Sequence, residues 1–98
     1  MYGTIARLQV KPGAEQQLQE AMAAIGSRKV PGFVATYLYR LDEKPNVLML
    51  AVLFADRDSY TRNADDPAQG REYAVMRGFL ESDPEWHDGE VIWSSNAS

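Results

Sequence analysis

The chain has 98 residues, 45% of them hydrophobic and 24% charged, with a net charge of −4. That is the composition of one globular domain with a modest core, and the acidic balance argues against nucleic acid or an anionic membrane as partner. The absence of cysteine excludes a disulfide framework, a thiolate nucleophile and a zinc–sulfur site. It fits a cytoplasmic setting, as does Met1-Tyr2-Gly3-Thr4-Ile5-Ala6-Arg7, which lacks the basic-then-apolar pattern of a secretory signal.

The alternation from Tyr2 to Val10 predicts a strand with Thr4, Ala6, Leu8 and Val10 on one side and Gly3, Ile5, Arg7 and Gln9 on the other. Lys11-Pro12-Gly13 ends it. Ala14, Leu18, Met22 and Ile25 then recur at helical spacing, predicting an amphipathic helix over 14–28 with Arg28 and Lys29 complementing its dipole. Pro31-Gly32 forces a turn. A second strand is predicted over 33–41, with Phe33, Ala35, Tyr37, Tyr39 and Leu41 lining one side and Val34, Thr36, Leu38 and Arg40 the other. The polar stretch Asp42-Glu43-Lys44-Pro45-Asn46 is short enough to join it to the next strand as an antiparallel hairpin.

That next strand, Asn46 to Ala55, carries nine consecutive apolar residues after Asn46, too few to cross a bilayer. Its length and turn-rich flanks predict a strand buried on both faces. Asp56 caps a short helix ending near Ala64. Asp66 as N-cap and Pro67 as first residue open another, predicted to reach about Ser82 with Tyr73, Met76, Phe79 and Leu80 as its apolar stripe. Asp83-Pro84 stops it, and Asp88-Gly89 reads as a turn before a last strand over 90–95. Residues 1–95 thus form one domain and 96–98 a short polar tail.

The order β-α-β-β-α-α-β predicts an α+β fold of the ferredoxin-like, split βαβ kind: a four-stranded antiparallel sheet with its helices on one face. Helices cover one side of such a sheet only. The second and third strands are nonetheless apolar on both sides, which predicts a homodimer packed through the free sheet face.

In this order and length the chain resembles the antibiotic biosynthesis monooxygenase (ABM) family, a branch of the dimeric α+β barrel proteins. The resemblance is carried by Arg7-Leu8-Gln9-Val10-Lys11-Pro12-Gly13, Val30-Pro31-Gly32-Phe33 and Val52-Leu53-Phe54-Ala55-Asp56. Ser59-Tyr60, Asn63-Ala64, Asp66-Pro67, and Pro84-Glu85-Trp86 running into Asp88-Gly89-Glu90-Val91 carry it further. It implies two subunits joined sheet to sheet, each with a pocket between its own sheet and helices. It also implies oxidation of quinols or anthrone-like polyketide phenols by molecular oxygen without a flavin, metal or other cofactor. The haem-degrading branch, with a His on the long helix and an Asn on the first strand, is disfavoured: the predicted helix over 67–82 holds no His, and Arg7 stands at the strand position.

Such chemistry asks for an apolar pocket holding an electron-rich ring, with a few polar groups to orient it and assist its deprotonation. Asn63, Arg77 and His87 are the candidates for catalysis, His87 as the chain's one histidine, the residue type suited to act as a base near neutrality. Tyr37, Tyr60, Tyr73, Trp86 and Arg7 are the candidates for binding the ring. Each has a plainer role open to it: Tyr73 as core beside Met76 and Phe79, Asn63 as a helix terminator, Arg7 and Arg77 as ion-pair partners, Trp86 as a clamp on the last strand, and His87 as a solvated turn residue. One His and scattered carboxylates give no metal-ligand spacing. A dimeric small-molecule binding or stress-related protein without turnover is the alternative function.

Overall fold

The computed structural model describes residues 1–26 and 29–96. The chain runs β1 (Tyr2–Gln9), α1 (Glu15–Gly26), β2 (Phe33–Arg40), β3 (Val47–Phe54), α2 (Arg57–Ala64), α3 (Pro67–Arg77) and β4 (Glu85–Glu90). The four strands form one antiparallel sheet in the order β2-β3-β1-β4, the ferredoxin-like arrangement expected. β1 and β3 are therefore central.

The registers sort the side chains by face. Thr4, Ala6 and Leu8 of β1 lie opposite Val52, Leu50 and Leu48 of β3, and this row packs toward the helices. Ala6, Leu8, Val10, Leu48 and Leu50 meet Ala14 and Leu18 from the α1 side and Met76 and Leu80 from the α3 side in one buried cluster. The opposite face carries Ile5, Arg7, Tyr37, Tyr39, Met49 and Leu53. Among the described residues no helix covers it: Ile5 is 53% exposed and Tyr37 and Tyr39 are each 63% exposed.

Local chemistry fixes the helices as the sequence implied. Asp56 accepts a hydrogen bond from the Ser59 amide at 2.8 Å, and Asp66 accepts one from the Ala68 amide at 2.8 Å with Pro67 opening α3. At the start of α1, Glu15 is gripped by the Arg40 guanidinium of β2; that bond holds the Glu15 carboxyl below its ordinary pKa. Val30 to Phe33 forms a tight turn closed by the Phe33 amide on the Val30 carbonyl at 3.1 Å. Gly32 sits there at φ +81°, and a Cβ on it would lie 2.3 Å from the Ser59 Cβ. The turn thus demands glycine twice, for its backbone angle and for its contact with α2.

Three expectations need correction. A register shift between Phe33 and Ala35 places Phe33 opposite Phe54, so Phe33 joins the helix-facing row of Thr36 and Leu38 instead of the row of Tyr37 and Tyr39. α3 stops at Arg77 rather than near Ser82, because the chain after Gly78 is drawn onto the end of β1. Lys11 donates its amide to Phe79 O at 2.9 Å, Glu81 donates to Gln9 O at 2.8 Å, and Leu80 bridges Val10. The last strand is Glu85–Glu90 rather than 90–95, and Asp88-Gly89 lies within it, paired with Thr4 and Gly3 of β1. α1 is described over Glu15–Gly26 and Lys29 is not helical, and the expected extension to Arg28 lies outside the described residues. The last two residues of the predicted tail, Ala97 and Ser98, do as well.

Candidate functional site

Helices lying across a sheet touch it closely only where their apolar stripes are continuous. Here α1 and α3 close on β1 and β3 around Leu8 and Leu48, while Tyr60 of α2 meets Tyr2 and Phe54 toward the other end. The space left between the layers is a cavity of about 950 Å³, at the upper end of the ~300–1,000 Å³ common for small-molecule sites.

Its floor is the helix-facing row of the sheet: Thr4, Thr36, Leu38, Leu50, Val52 and Phe54. Met22 and Ile25 of α1 form one wall. Tyr60, Asn63 and Ala64 of α2 form the second, and Gln69, Glu72, Tyr73 and Met76 of α3 the third. Trp86 and Asp88 enter from β4, two residues apart and so on one side of the strand.

Two aromatic groups shape the space. At the α2 end the Tyr60 ring lies edge-on to Tyr2 at 5.2 Å and to Phe54 at 5.7 Å, and Phe54 meets Phe33 at 5.8 Å. The Arg57 guanidinium stacks over Tyr2 at 5.7 Å from outside. On the other side Tyr73 and Trp86 face one another at 6.1 Å between α3 and β4. Tyr73 thus packs on the core and lines the cavity at once.

The polar groups converge at one place. Thr4 and Asp88 are partners across β1 and β4, and Tyr60 reaches over them from α2 to donate its hydroxyl proton to Asp88 Oδ1 at 2.9 Å. Partial burial, then this bond to a carboxylate, pushes the Tyr60 pKa up to about 12, while the nearby Thr4 hydroxyl pulls weakly the other way. Thr4 Oγ1 is buried and completes no hydrogen bond of full geometry. Asn63 stands one turn along α2, its amide donating to Gln69 Oε1 at 3.4 Å.

Of the eight residues singled out in the sequence, the structure gathers Tyr60, Asn63, Tyr73 and Trp86 around the cavity and sets the other four apart. Tyr37 lies on the opposite face of the sheet, paired with Ala51. His87 sits opposite Ile5 on that same face, because β4 alternates and turns Trp86 and Asp88 inward. Arg7 shares that face, 3.9 Å from Glu85. Arg77 shares a helical side with Tyr73, but its side chain turns away to Asp83 at 2.8 Å and the Leu80 carbonyl at 2.9 Å. Asp88 and Thr4 are the residues that sequence reasoning missed. Asp88-Gly89 looks like a turn, and the signal that could have found the pair is the alternation of Trp86 with Asp88. Among the described residues no three His, Cys, Asp or Glu side chains cluster as a metal site, and no helix is long and apolar enough to cross a membrane.

A family model described as antibiotic biosynthesis monooxygenase matches residues 1–71, from β1 into α3. A comparison with curated proteins gave no significant match. Among solved structures, SnoaB, a cofactor-independent oxygenase from Streptomyces nogalater, superposes with a TM-score of 0.80 at 20% identity, over 95% of this chain and 94% of that one. A protein from Caulobacter crescentus described as an antibiotic biosynthesis monooxygenase gives 0.81 at 17% identity, over 94% and 90%. A similarly described protein from Bordetella bronchiseptica gives 0.78 at 19%, over 94% and 97%. At these identities the likeness to solved structures establishes the fold alone.

Proposed function

The chain belongs to the antibiotic biosynthesis monooxygenase family, and from that premise we propose that it is a homodimeric, cytoplasmic oxygenase. It would oxidise a small phenol, quinol or anthrone-like ring with molecular oxygen and no cofactor. The observation that carries this reading is the cavity: about 950 Å³, floored by apolar side chains, walled by Tyr60, Tyr73, Trp86 and Phe54, with polar groups at defined points. A polycyclic aromatic fits that volume and those rings. The name of SnoaB, a cofactor-independent oxygenase of the same fold, supports the cofactor-free form of the reaction.

The chemistry belongs largely to the substrate. An anthrone-like ring loses a proton to give an anion spread over its π-system, and that anion reduces oxygen directly. One oxygen atom becomes the new ring carbonyl and the other leaves as water; the ring CH₂ gives up four electrons and oxygen takes four. Tyr73 and Trp86 hold the ring, Asn63 donates a hydrogen bond to its oxygen as charge develops there, and the Asp88 carboxylate is the acceptor beside the departing proton. Dimerisation is supported by the uncovered sheet face with exposed Ile5, Tyr37 and Tyr39.

Oxygen uptake by metal-stripped protein over a panel of quinols and anthrones tests the reading. A rate above spontaneous oxidation for at least one compound is expected, and no excess for any would refute it. The second reading, binding without turnover, is favoured by one observation: Arg77 and His87, the two candidates for assisting deprotonation, both lie away from the cavity. A ligand retained unchanged under oxygen is its signature.

A further inference from the structure

We propose that Thr4, Tyr60 and Asp88 form a hydroxyl-reading wall: it admits a ring that donates a hydrogen bond there and discriminates against the counterpart bearing an ether or carbonyl. This rests on the cavity being an aromatic-ligand site, as proposed above, and adds which form of the ligand it takes.

The three groups meet from three elements. Thr4 and Asp88 are directly opposite across the β1–β4 pairing, and Tyr60 spans them from α2. A tyrosine hydroxyl has one proton, and here that proton lies on Asp88 Oδ1 at 2.9 Å in a charge-assisted bond. The Tyr60 oxygen therefore offers the cavity lone pairs only, and so does the carboxylate. With its pKa pushed up to about 12, Tyr60 keeps this proton throughout the physiological range.

The second, independent observation is Thr4. It is 4% exposed and lines the cavity, and its Oγ1, though near enough to the Tyr60 hydroxyl to pull that group's pKa down, completes no hydrogen bond of full geometry among the described residues. A buried hydroxyl left unsatisfied is costly, and natural structures rarely keep one without reason. A ligand hydroxyl placed between Thr4 and Tyr60 satisfies it, donating to one oxygen and accepting the Thr4 proton with its own lone pair. A ligand ether or carbonyl oxygen can accept the Thr4 proton but has none to donate to Tyr60 or Asp88, so it forfeits that second bond.

Sites built to bond a hydroxyl reject analogues lacking it by large factors when enclosed. Asp88 is at the exposed rim of the cavity, where water competes, so about tenfold is the expected preference. With a quinol as substrate, the wall would then take up the hydroxyl-bearing ring and release its carbonyl-bearing product.

Calorimetric titration of the full chain with 1-naphthol and with 1-methoxynaphthalene, both under nitrogen, reads this preference without turnover. Wild type should bind 1-naphthol about tenfold tighter. Tyr60→Phe, which keeps the ring against Tyr2 and Phe54, should bring the ratio close to one. Thr4→Val should lower the ratio as well. Asp88→Ala frees the Tyr60 proton to face the cavity and should move the ratio toward the methoxy compound. A wild-type ratio near one, or a ratio that Tyr60→Phe and Thr4→Val leave intact, overturns the proposal. Binding of neither compound overturns it together with the aromatic-ligand reading. Discrimination by a protein that consumes no oxygen with any quinol refutes the oxygenase reading and upholds the hydroxyl-reading wall.

Discussion

Leu50 and Leu53 are three residues apart on β3 and, by strand alternation, on opposite faces of the sheet. Leu50 is 3% exposed, belongs to the buried cluster and floors the cavity. Leu53 is half-buried on the uncovered face. Truncating a buried leucine to alanine costs about 2–5 kcal/mol. The space vacated at Leu50 merges with a cavity that water already reaches, which places Leu50→Ala in the lower half of that range, at about 2–3 kcal/mol. With a urea slope of ~1–1.5 kcal/mol/M for a chain of this size, the unfolding midpoint should fall by roughly 2 M. Leu53→Ala should cost the protomer about 1 kcal/mol.

The two variants should differ in kind as well as in size. If the free face carries the dimer, the wild-type midpoint rises with protein concentration, the apparent stability gaining about 1.4 kcal/mol per dimer for each tenfold increase. Leu53→Asp should remove that dependence and leave an 11.0 kDa species in equilibrium sedimentation. Leu50→Ala should keep it. Urea unfolding by far-ultraviolet dichroism, repeated at three protein concentrations, gives every number required. Equal destabilisation by Leu50→Ala and Leu53→Ala would refute the assignment of faces, and a wild-type midpoint independent of concentration would refute the dimer.

Gly32→Ala should destabilise by about 1–3 kcal/mol, because a Cβ both strains φ +81° and collides with Ser59; thermal unfolding would read it as a fall of several degrees. Asp56→Ala removes the cap of α2 and should lower the unfolding temperature at pH 7. The Asp56 carboxyl is held below its ordinary value, chiefly by the Ser59 amide. Its contribution is therefore complete above that ordinary value and disappears as pH falls through the depressed one, so wild type and variant should converge in acid unfolding curves. Tyr60 has the opposite sign. Its pKa is raised from 10.0 to about 12, so its contribution is full below pH 10 and is lost as pH climbs toward 12. An ultraviolet phenolate titration should show one late-ionising tyrosine that Tyr60→Phe removes.

Much of this fold follows from local pattern. The nine apolar residues of β3 mark a central strand, the spacing of Ala14, Leu18 and Met22 marks α1, and Asp56 and Asp66-Pro67 mark two helix starts. Where expectation failed, the deciding force was tertiary. β4 reads Glu-Trp-His-Asp-Gly-Glu, with no strand propensity to speak of, and is a strand because the edge of β1 pairs with it. The side taken by Phe33 depends on one extra residue in β2, which periodicity cannot see. The candidate site divides in the same way. Tyr60 with Asn63 were legible because helical spacing holds on α2. Asp88 was hidden by its turn-like neighbour, and His87 and Tyr37 were misplaced by a single step of alternation.

The most direct test of oxygenation is the fate of the oxygen itself. Metal-stripped protein is given an anthrone under ¹⁸O₂, and the quinone product is weighed by mass spectrometry against a protein-free control. One labelled oxygen atom per product molecule, formed faster than in the control, is the expected result. Unlabelled product, or labelled product at the control rate for every anthrone and quinol tried, would contradict a role in oxygenation and leave ligand binding as the function of the cavity.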